Sequence, residues 1–304
     1  MKRADNSDNS EGDMAKQTNE QSYDGSQIQV LEGLEPVRKR PGMYIGSTGY
    51  EGVHHLSKEM ADNSIDEASA GYATKVEVTL LKDGGVRVSD DGRGIPVDKH
   101  PQTGKSTLVT VLTILHAGGK FGCGGYKGSS GLHGVGSSVV NALSTRMIAE
   151  VRKNGKIYRQ EYATGVPQTE LEVVGKSNDS GTTITFYPDP TIFKETVSFD
   201  YKWVVNYLRH QAYLTKGIHT SVIDERTGER KAFYFEGGIQ SYVKNLNIGK
   251  DVLSDDIFYV EKQVEDCMVE IAVQYNDTYA EVVKPFANNI LTPDGGHHLV
   301  GFRT

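Results

Sequence analysis

Between residues 53 and 70 the apolar positions recur at the helical step. Set out at about 100° per residue from Glu59, the residues His55, Asp62, Asn63 and Asp66 fall within roughly 60° of it, and Val53, Leu56, Met60, Ala61, Ile65 and Ala68 cover the rest. This pattern predicts an amphipathic helix with an acidic stripe. Residues 75–81 and 86–90 then alternate strictly, separated by Asp83-Gly84-Gly85, and predict a hairpin that ends on the adjacent Asp90 and Asp91. Residues 106–117, "STLVTVLTILHA", predict a largely buried second helix. A glycine-rich stretch over 118–138 passes into a third helix at "SVVNALS". Strands are predicted over 157–163 and 182–187, and a helix over 201–214. After about Thr220 the character changes to short alternating segments such as "VEIAVQY", which places a domain boundary near residue 220.

Composition narrows the class. At 304 residues and 37% hydrophobic content the chain can bury a sizeable core. Its net charge of -7 argues against a broad DNA-coating surface on this segment. The cysteines Cys123 and Cys267 offer neither a disulfide framework nor a metal cluster, which suits a reducing cytoplasm. No run is apolar enough to span a membrane. Residues 1–20 are nearly free of large apolar side chains, so a disordered lead-in is expected there.

The candidate chemistry lies in three places. The acidic stripe has an ordinary reading as the wet face of a helix. Against that, Asn63 follows Glu59 by one turn, and a neutral oxygen ligand beside an acid suits Mg²⁺, which keeps most of its shell for water and phosphate oxygens. Glu59 could then deprotonate a water for attack on a phosphoryl group. Second, Gly131-Leu132-His133-Gly134-Val135-Gly136 runs into the third helix, where backbone N–H groups favour phosphate. The alternative is a flexible surface loop. No strand precedes this run, so it is not a dinucleotide fingerprint, and Lys99 stands where a P-loop ending at Gly104-Lys105-Ser106 would need glycine. Third, "DDGRGIP" joins two carboxylates to a glycine turn. With phosphates on the glycine-rich segment, Asp90 belongs at the other end of a nucleotide, accepting from the exocyclic amine that adenine offers and guanine does not.

The set "EMADNSIDEA", "DDGRGIP", "LHAGGKF" and "GLHGVGSSVVNALS", preceded by "VRKRPGMYIGS", closely resembles the ATPase region of bacterial type IIA DNA topoisomerases over residues 23–304. The gyrase B-type subunits are the nearest branch and the topoisomerase IV B-type subunits the alternative. The resemblance implies an α+β chain: a GHKL (Bergerat) ATPase α/β sandwich over residues 21–220, with an N-terminal dimerisation arm, then a partial ribosomal-S5-like transducer domain over 221–304. It implies ATP and Mg²⁺ as cofactors. Glu59 would be the general base supported by His55, Asn63 the magnesium ligand, and Asp90 the adenine acceptor with Thr182 beside it through water. Asp66, Glu67, Arg93, Gly94, Ile95 and Pro96 would complete the nucleotide pocket. Lys120, Tyr126 and the run Gly131, Leu132, His133, Gly134, Val135 and Gly136 would form the lid, and Tyr23 and Ile28 would belong to the arm that reaches a second copy.

The implied partners are a second copy of the chain through an ATP-dependent gate, the gyrase A protein in an A2B2 holoenzyme, and double-stranded DNA in that holoenzyme. The implied activity is ATP-driven strand passage with negative supercoiling, or decatenation in the topoisomerase IV branch. Three positions depart from the family pattern: Ser130 for a lid glycine, His297 for a threonine and Lys153 for a strand arginine. The family's transducer lysine on the γ-phosphate would fall beyond Thr304, so weak turnover is expected of these residues alone. A histidine kinase shares the ATP fold but needs a phospho-accepting helix first. Mismatch-repair and chaperone ATPases do not combine "RKRPGMYIG" with this lid, and a sensor that only binds ATP leaves Glu59 unexplained.

Overall fold

The computed structural model describes residues 28, 30–119, 134–265 and 267–304. Two short helices, α1 (Glu35–Lys39) and α2 (Gly42–Ile45), lead into α3 (Tyr50–Ser69), the helix that carries the predicted acidic stripe. Gly52 makes the entry into α3 possible, because a Cβ there would stand 1.9 Å from the carbonyl oxygen of Ser47. The hairpin follows as β1 (Lys75–Leu80) and β2 (Val86–Asp90), then α4 (Thr107–Thr113) and α5 (Gly136–Ala142). Next come β3 (Ser144–Lys153), β4 (Lys156–Ala163), β5 (Val166–Pro167), β6 (Glu172–Lys176) and β7 (Gly181–Pro188). They are followed by α6 (Tyr201–Leu214), β8 (His219–Asp224), β9 (Arg230–Phe233) and α7 (Ile239–Leu246). The chain finishes with the two-stranded ribbons β10 (Phe258–Val264) with β11 (Cys267–Val273) and β12 (Phe286–Ala287) with β13 (Ile290–Leu291), and α8 (His297–Arg303).

Nine strands form one mixed sheet in the order β5-β4-β3-β7-β2-β1-β8-β9, with β6 also on β4. Among the described residues only β1 and β8 run parallel. The apolar positions of alternate residues, among them Val78, Val86, Val88, Ala149, Val151, Phe186 and Val222, join Leu56, Met60, Leu108, Leu112, Val140 and Leu208 of the helices in one core. Helices therefore cover one face of the sheet and leave the other open, the arrangement of an α/β sandwich. Strands β8 and β9 keep the sheet going to Phe233, past the boundary expected near residue 220.

Three expectations change in detail. The helix predicted over 106–117 stops at Thr113: Ile114 turns extended, the Asn141 amide donates 2.8 Å to the carbonyl of Leu112, and His116 takes a φ of 58°. Strand β3 is not among the expected elements, and the last residue of "SVVNALS", Ser144, already belongs to it. The acidic stripe is not a wet face either. Asp62 and Asp66 are buried, and Asp62 accepts from Lys58 at 2.6 Å and from the Tyr207 hydroxyl of α6. His54, fully buried, ties the same two helices. Its Nε2 accepts the Asp200 N–H at 2.8 Å, which leaves the ring proton on Nδ1 to donate to the carbonyl of Tyr50.

Candidate active site

Helix α3 presents His55, Glu59 and Asn63 at successive turns, as the (i, i+4) spacing dictates. His55 Nε2 stands 3.0 Å from Glu59 Oε1. The other carboxylate oxygen faces the start of α5, where a Cβ on Gly136 would be 2.1 Å from Glu59 Oε2. Gly136 is thus the residue that leaves room for the acid. One turn on, the Asn63 amide donates 3.1 Å to Ser137 Oγ, so α3 and α5 meet through both side chains. Gly134, with a φ of 60°, and Val135 lead the chain into α5.

The carboxylate of Asp90, at the end of β2, turns to the helix side. Its Oδ2 accepts from Ser64 Oγ at 2.8 Å, and its Oδ1 accepts from the N–H groups of Gly92 at 3.0 Å and Thr182 at 3.1 Å. Burial raises its pKa, and the three donors, which favour the ionised form, offset that only in part. Its neighbour Asp91 has a different job. It accepts from Thr74 Oγ1, Thr74 N and Lys75 N at 2.5 to 2.8 Å and so closes the end of the hairpin. Burial would raise the Asp91 pKa too, but those donors outweigh it and hold the carboxyl below its usual range. Of the two adjacent carboxylates, Asp90 is the one bonded to α3.

The turn after Asp90 is held from several sides. Glu67 accepts from Arg93 Nε at 3.1 Å, Nη2 at 2.9 Å and the backbone N–H at 3.2 Å, and the guanidinium lies 3.6 Å over the Tyr72 ring. Gly94, at a φ of 72°, is buried, and the Ile95 N–H donates 3.2 Å to Thr182 Oγ1. Pro96 follows at the surface. Lys153 donates to the carbonyls of Arg93 and Gly94 at 2.7 and 3.1 Å.

The structure thus brings together His55, Glu59, Asn63, Gly134, Val135 and Gly136 at one end, and Glu67, Asp90, Arg93, Gly94, Ile95 and Thr182 at the other. Asp66 is buried in the same helix between them. Tyr23, Lys120, Tyr126, Ser130, Gly131, Leu132 and His133 lie outside the described residues. His297 opens α8 and is exposed. Sequence reasoning missed Ser64 and Gly181. Ser64 lies within the "EMADNSIDEA" stretch, but its role depends on a partner 26 residues away. Gly181 has a φ of 138°, and a Cβ there would lie 2.0 Å from the Asp90 carbonyl. A cavity of about 430 Å³ on the open face of the sheet is lined by Glu77, Ser89, Asp90, Asp91, Arg152 and Ser221 among others, and neither Glu59 nor Asn63 lines it.

A lone amide oxygen next to a carboxylate suits Mg²⁺, which takes one or two protein ligands and completes its shell with water and substrate phosphates. Among the described residues no group of three or more His, Cys, Asp or Glu could hold a metal ion.

Residues 49–192 match the family described as histidine kinase-, DNA gyrase B- and HSP90-like ATPases, and residues 238–304 match the family described as DNA gyrase B. The chain is 54% identical over 286 residues to the DNA gyrase B protein of Streptococcus pneumoniae, covering 93% of this chain and 44% of that protein. It is 50% identical to the DNA gyrase B protein of Halalkalibacterium halodurans, covering 94% of this chain and 45% of that protein. It therefore spans less than half the length of these relatives. Among solved structures, the 43K ATPase domain of Thermus thermophilus gyrase B, in complex with an aminocoumarin, superposes with a TM-score of 0.80 at 40% identity, over 88% of this chain and 69% of that one. The mixed sheet with helices on one face is accordingly the GHKL ATPase fold, followed by the start of the gyrase B transducer region. The chain belongs to the DNA gyrase B family, of which it represents the ATPase region.

Proposed function

We propose that this site binds ATP with Mg²⁺ and hydrolyses it, as the ATP-operated clamp of a DNA gyrase. The observation that carries the reading is the tie between Ser64 and Asp90. It joins the helix bearing Glu59 and Asn63 to a buried acid that is already held by backbone donors and aimed at the helix side. Asp90 accepts from the exocyclic amine of adenine, a bond to a charged acceptor that contributes about 1.5 to 3 kcal/mol. Thr182, beside it, completes the base site. Asn63 holds the magnesium ion, which neutralises phosphate charge when bound. Glu59 takes a proton from the water that attacks the γ-phosphoryl group, while His55, 3.0 Å from Oε1, keeps the carboxylate oriented.

Glu67, Arg93, Gly94, Ile95 and Pro96 form the rim of the base site, and Asp66 supports it from within α3. Gly134, Val135 and Gly136, with Lys120, Tyr126, Gly131, Leu132 and His133, serve as the lid over ribose and phosphates. Tyr23 belongs to the arm that reaches a second copy when ATP closes the gate. The second domain begins after β9, in keeping with the family match that starts at residue 238. In the whole protein this clamp acts with the gyrase A protein and double-stranded DNA in the cytoplasm to introduce negative supercoils. No helix among the described residues is long and apolar enough to cross a membrane.

The test is a comparison of nucleotide binding and hydrolysis between the wild type and Glu59→Ala. Retained affinity with lost turnover supports the assignment, and an equal loss of both removes Glu59 from the chemistry.

A further inference from the structure

Two consecutive cations at the end of β3 reach the Asp90–Gly94 bend by different routes. Arg152 Nη2 donates 2.6 Å to the Asp90 carbonyl and Nη1 donates 2.8 Å to Thr183 Oγ1, while Lys153 takes the carbonyls of Arg93 and Gly94. Strand β3 does not pair with β2, because β7 lies between them. The guanidinium therefore crosses β7, and it does so at Gly181. A Cβ at that position would stand 2.0 Å from the Asp90 carbonyl oxygen and 2.6 Å from Arg152 Nη2.

Strand alternation fixes which side each group occupies. Met147, Ala149 and Val151 point into the core, so Arg152 lies on the open face and lines the cavity there. The Asp90 carboxylate points the other way, to Ser64 on α3. Arg152 thus holds Asp90 from behind by its main chain, with a charge-assisted bond, and leaves the carboxylate to the ligand side.

We propose that Arg152, assisted by Lys153, is a positioning residue for adenine recognition, fixing the main chain of Asp90 from the open face of the sheet and so setting where its carboxylate meets the base. The proposal rests on the reading of Asp90 as the adenine acceptor. It requires that the residue act through Asp90 and on the base alone, which a general contribution to stability would not do.

The test uses the 304-residue protein carrying Glu59→Ala, so that nucleotide is not consumed. ATP and ITP are titrated with Mg²⁺ by calorimetry into this parent and into versions that add Arg152→Gln, Arg152→Lys, Lys153→Met, Asp90→Asn or Arg152→Gln with Asp90→Asn. ITP carries a carbonyl oxygen where adenine has its amine, so it reports the same site without the Asp90 bond. Arg152→Gln should weaken ATP about tenfold and ITP by less than about twofold, and Arg152→Lys should recover part of the loss. In the Asp90→Asn background, Arg152→Gln should add less than about twofold. Lys153→Met, which removes the donor to the Arg93 and Gly94 carbonyls, should also narrow the preference for ATP, and it carries the test if Arg152→Gln fails to fold. ATP affinity unchanged in both single variants, equal losses for ATP and ITP, or full additivity with Asp90→Asn would overturn the proposal. A parent that binds ATP and ITP equally, or neither, would instead overturn the base-site reading.

Discussion

Ser64 donates a 2.8 Å hydrogen bond to Asp90, joining helix α3 to the end of strand β2. Burial already raises the Asp90 pKa, and Ser64 is the leading one of the groups that oppose the rise. Since the base site needs the ionised carboxylate, acidification should weaken nucleotide binding at a pH above that of an ordinary aspartate. Ser64→Ala removes a donor to the charged form and should move this acid limb to higher pH. Calorimetric titrations across the acid range check it. An acid limb that does not move in Ser64→Ala would contradict the coupling.

Gly136 gives a second expectation. A methyl group there would overlap Glu59 Oε2, the far end of a flexible side chain that can swing aside. Gly136→Ala should therefore fold with little loss of stability while turnover falls by about tenfold or more, as expected when a general base loses its position. Steady-state hydrolysis beside a thermal melt separates the two effects. Wild-type turnover in the variant would show that the carboxylate does not work from its observed place.

Gly181 is the opposite case, because its neighbour is backbone. An added Cβ would meet the Asp90 carbonyl at 2.0 Å, and the φ of 138° is itself strained for any other residue. Gly181→Ala should cost roughly 1 to 3 kcal/mol of stability or more and weaken nucleotide binding with it. Denaturant unfolding measures the first and calorimetry the second, and a variant as stable as wild type would mean that β7 relaxes freely there.

The buried acid at the α3–α6 contact makes a pH prediction. Burial is the main cause that lifts the Asp62 pKa from 3.8 to about 6, against the opposing charge and hydrogen bond of Lys58. The folded state then holds this proton more tightly than the unfolded chain. The contribution of Asp62 to stability is greatest below about pH 4 and declines as the pH rises through about 6. Asp62→Asn cannot ionise, so as the pH rises from about 4 to about 7 the wild type should lose stability relative to it. Parallel pH profiles of unfolding free energy would rule this out.

Local pattern made much of this legible. The hairpin ending at Asp90, helix α6 and the spacing of His55, Glu59 and Asn63 follow from periods of two and of about 3.6 residues. What escaped notice depends on long-range contacts. Strand β3 begins within the predicted "SVVNALS" helix and is fixed by pairing with β4 and β7. Helix α4 ends early because Asn141, 29 residues on, caps Leu112. The parallel pairing of β1 with β8 joins residues that no local period connects. In the site, the roles of Ser64, Gly181 and Arg152 exist only once the sheet is assembled, whereas Glu59, Asn63 and Asp90 stand in motifs whose spacing already suggests their chemistry.

The most direct test of the account titrates a non-hydrolysable ATP analogue with Mg²⁺ into the wild type, Glu59→Ala and Asp90→Asn by calorimetry. If Asp90 receives the base and Glu59 acts only on the attacking water, wild type and Glu59→Ala should bind within about threefold of each other, while Asp90→Asn should bind at least about tenfold more weakly. Equal affinity in all three proteins would contradict the assignment of Asp90, and a loss in Glu59→Ala as large as that in Asp90→Asn would contradict the separation of binding from catalysis.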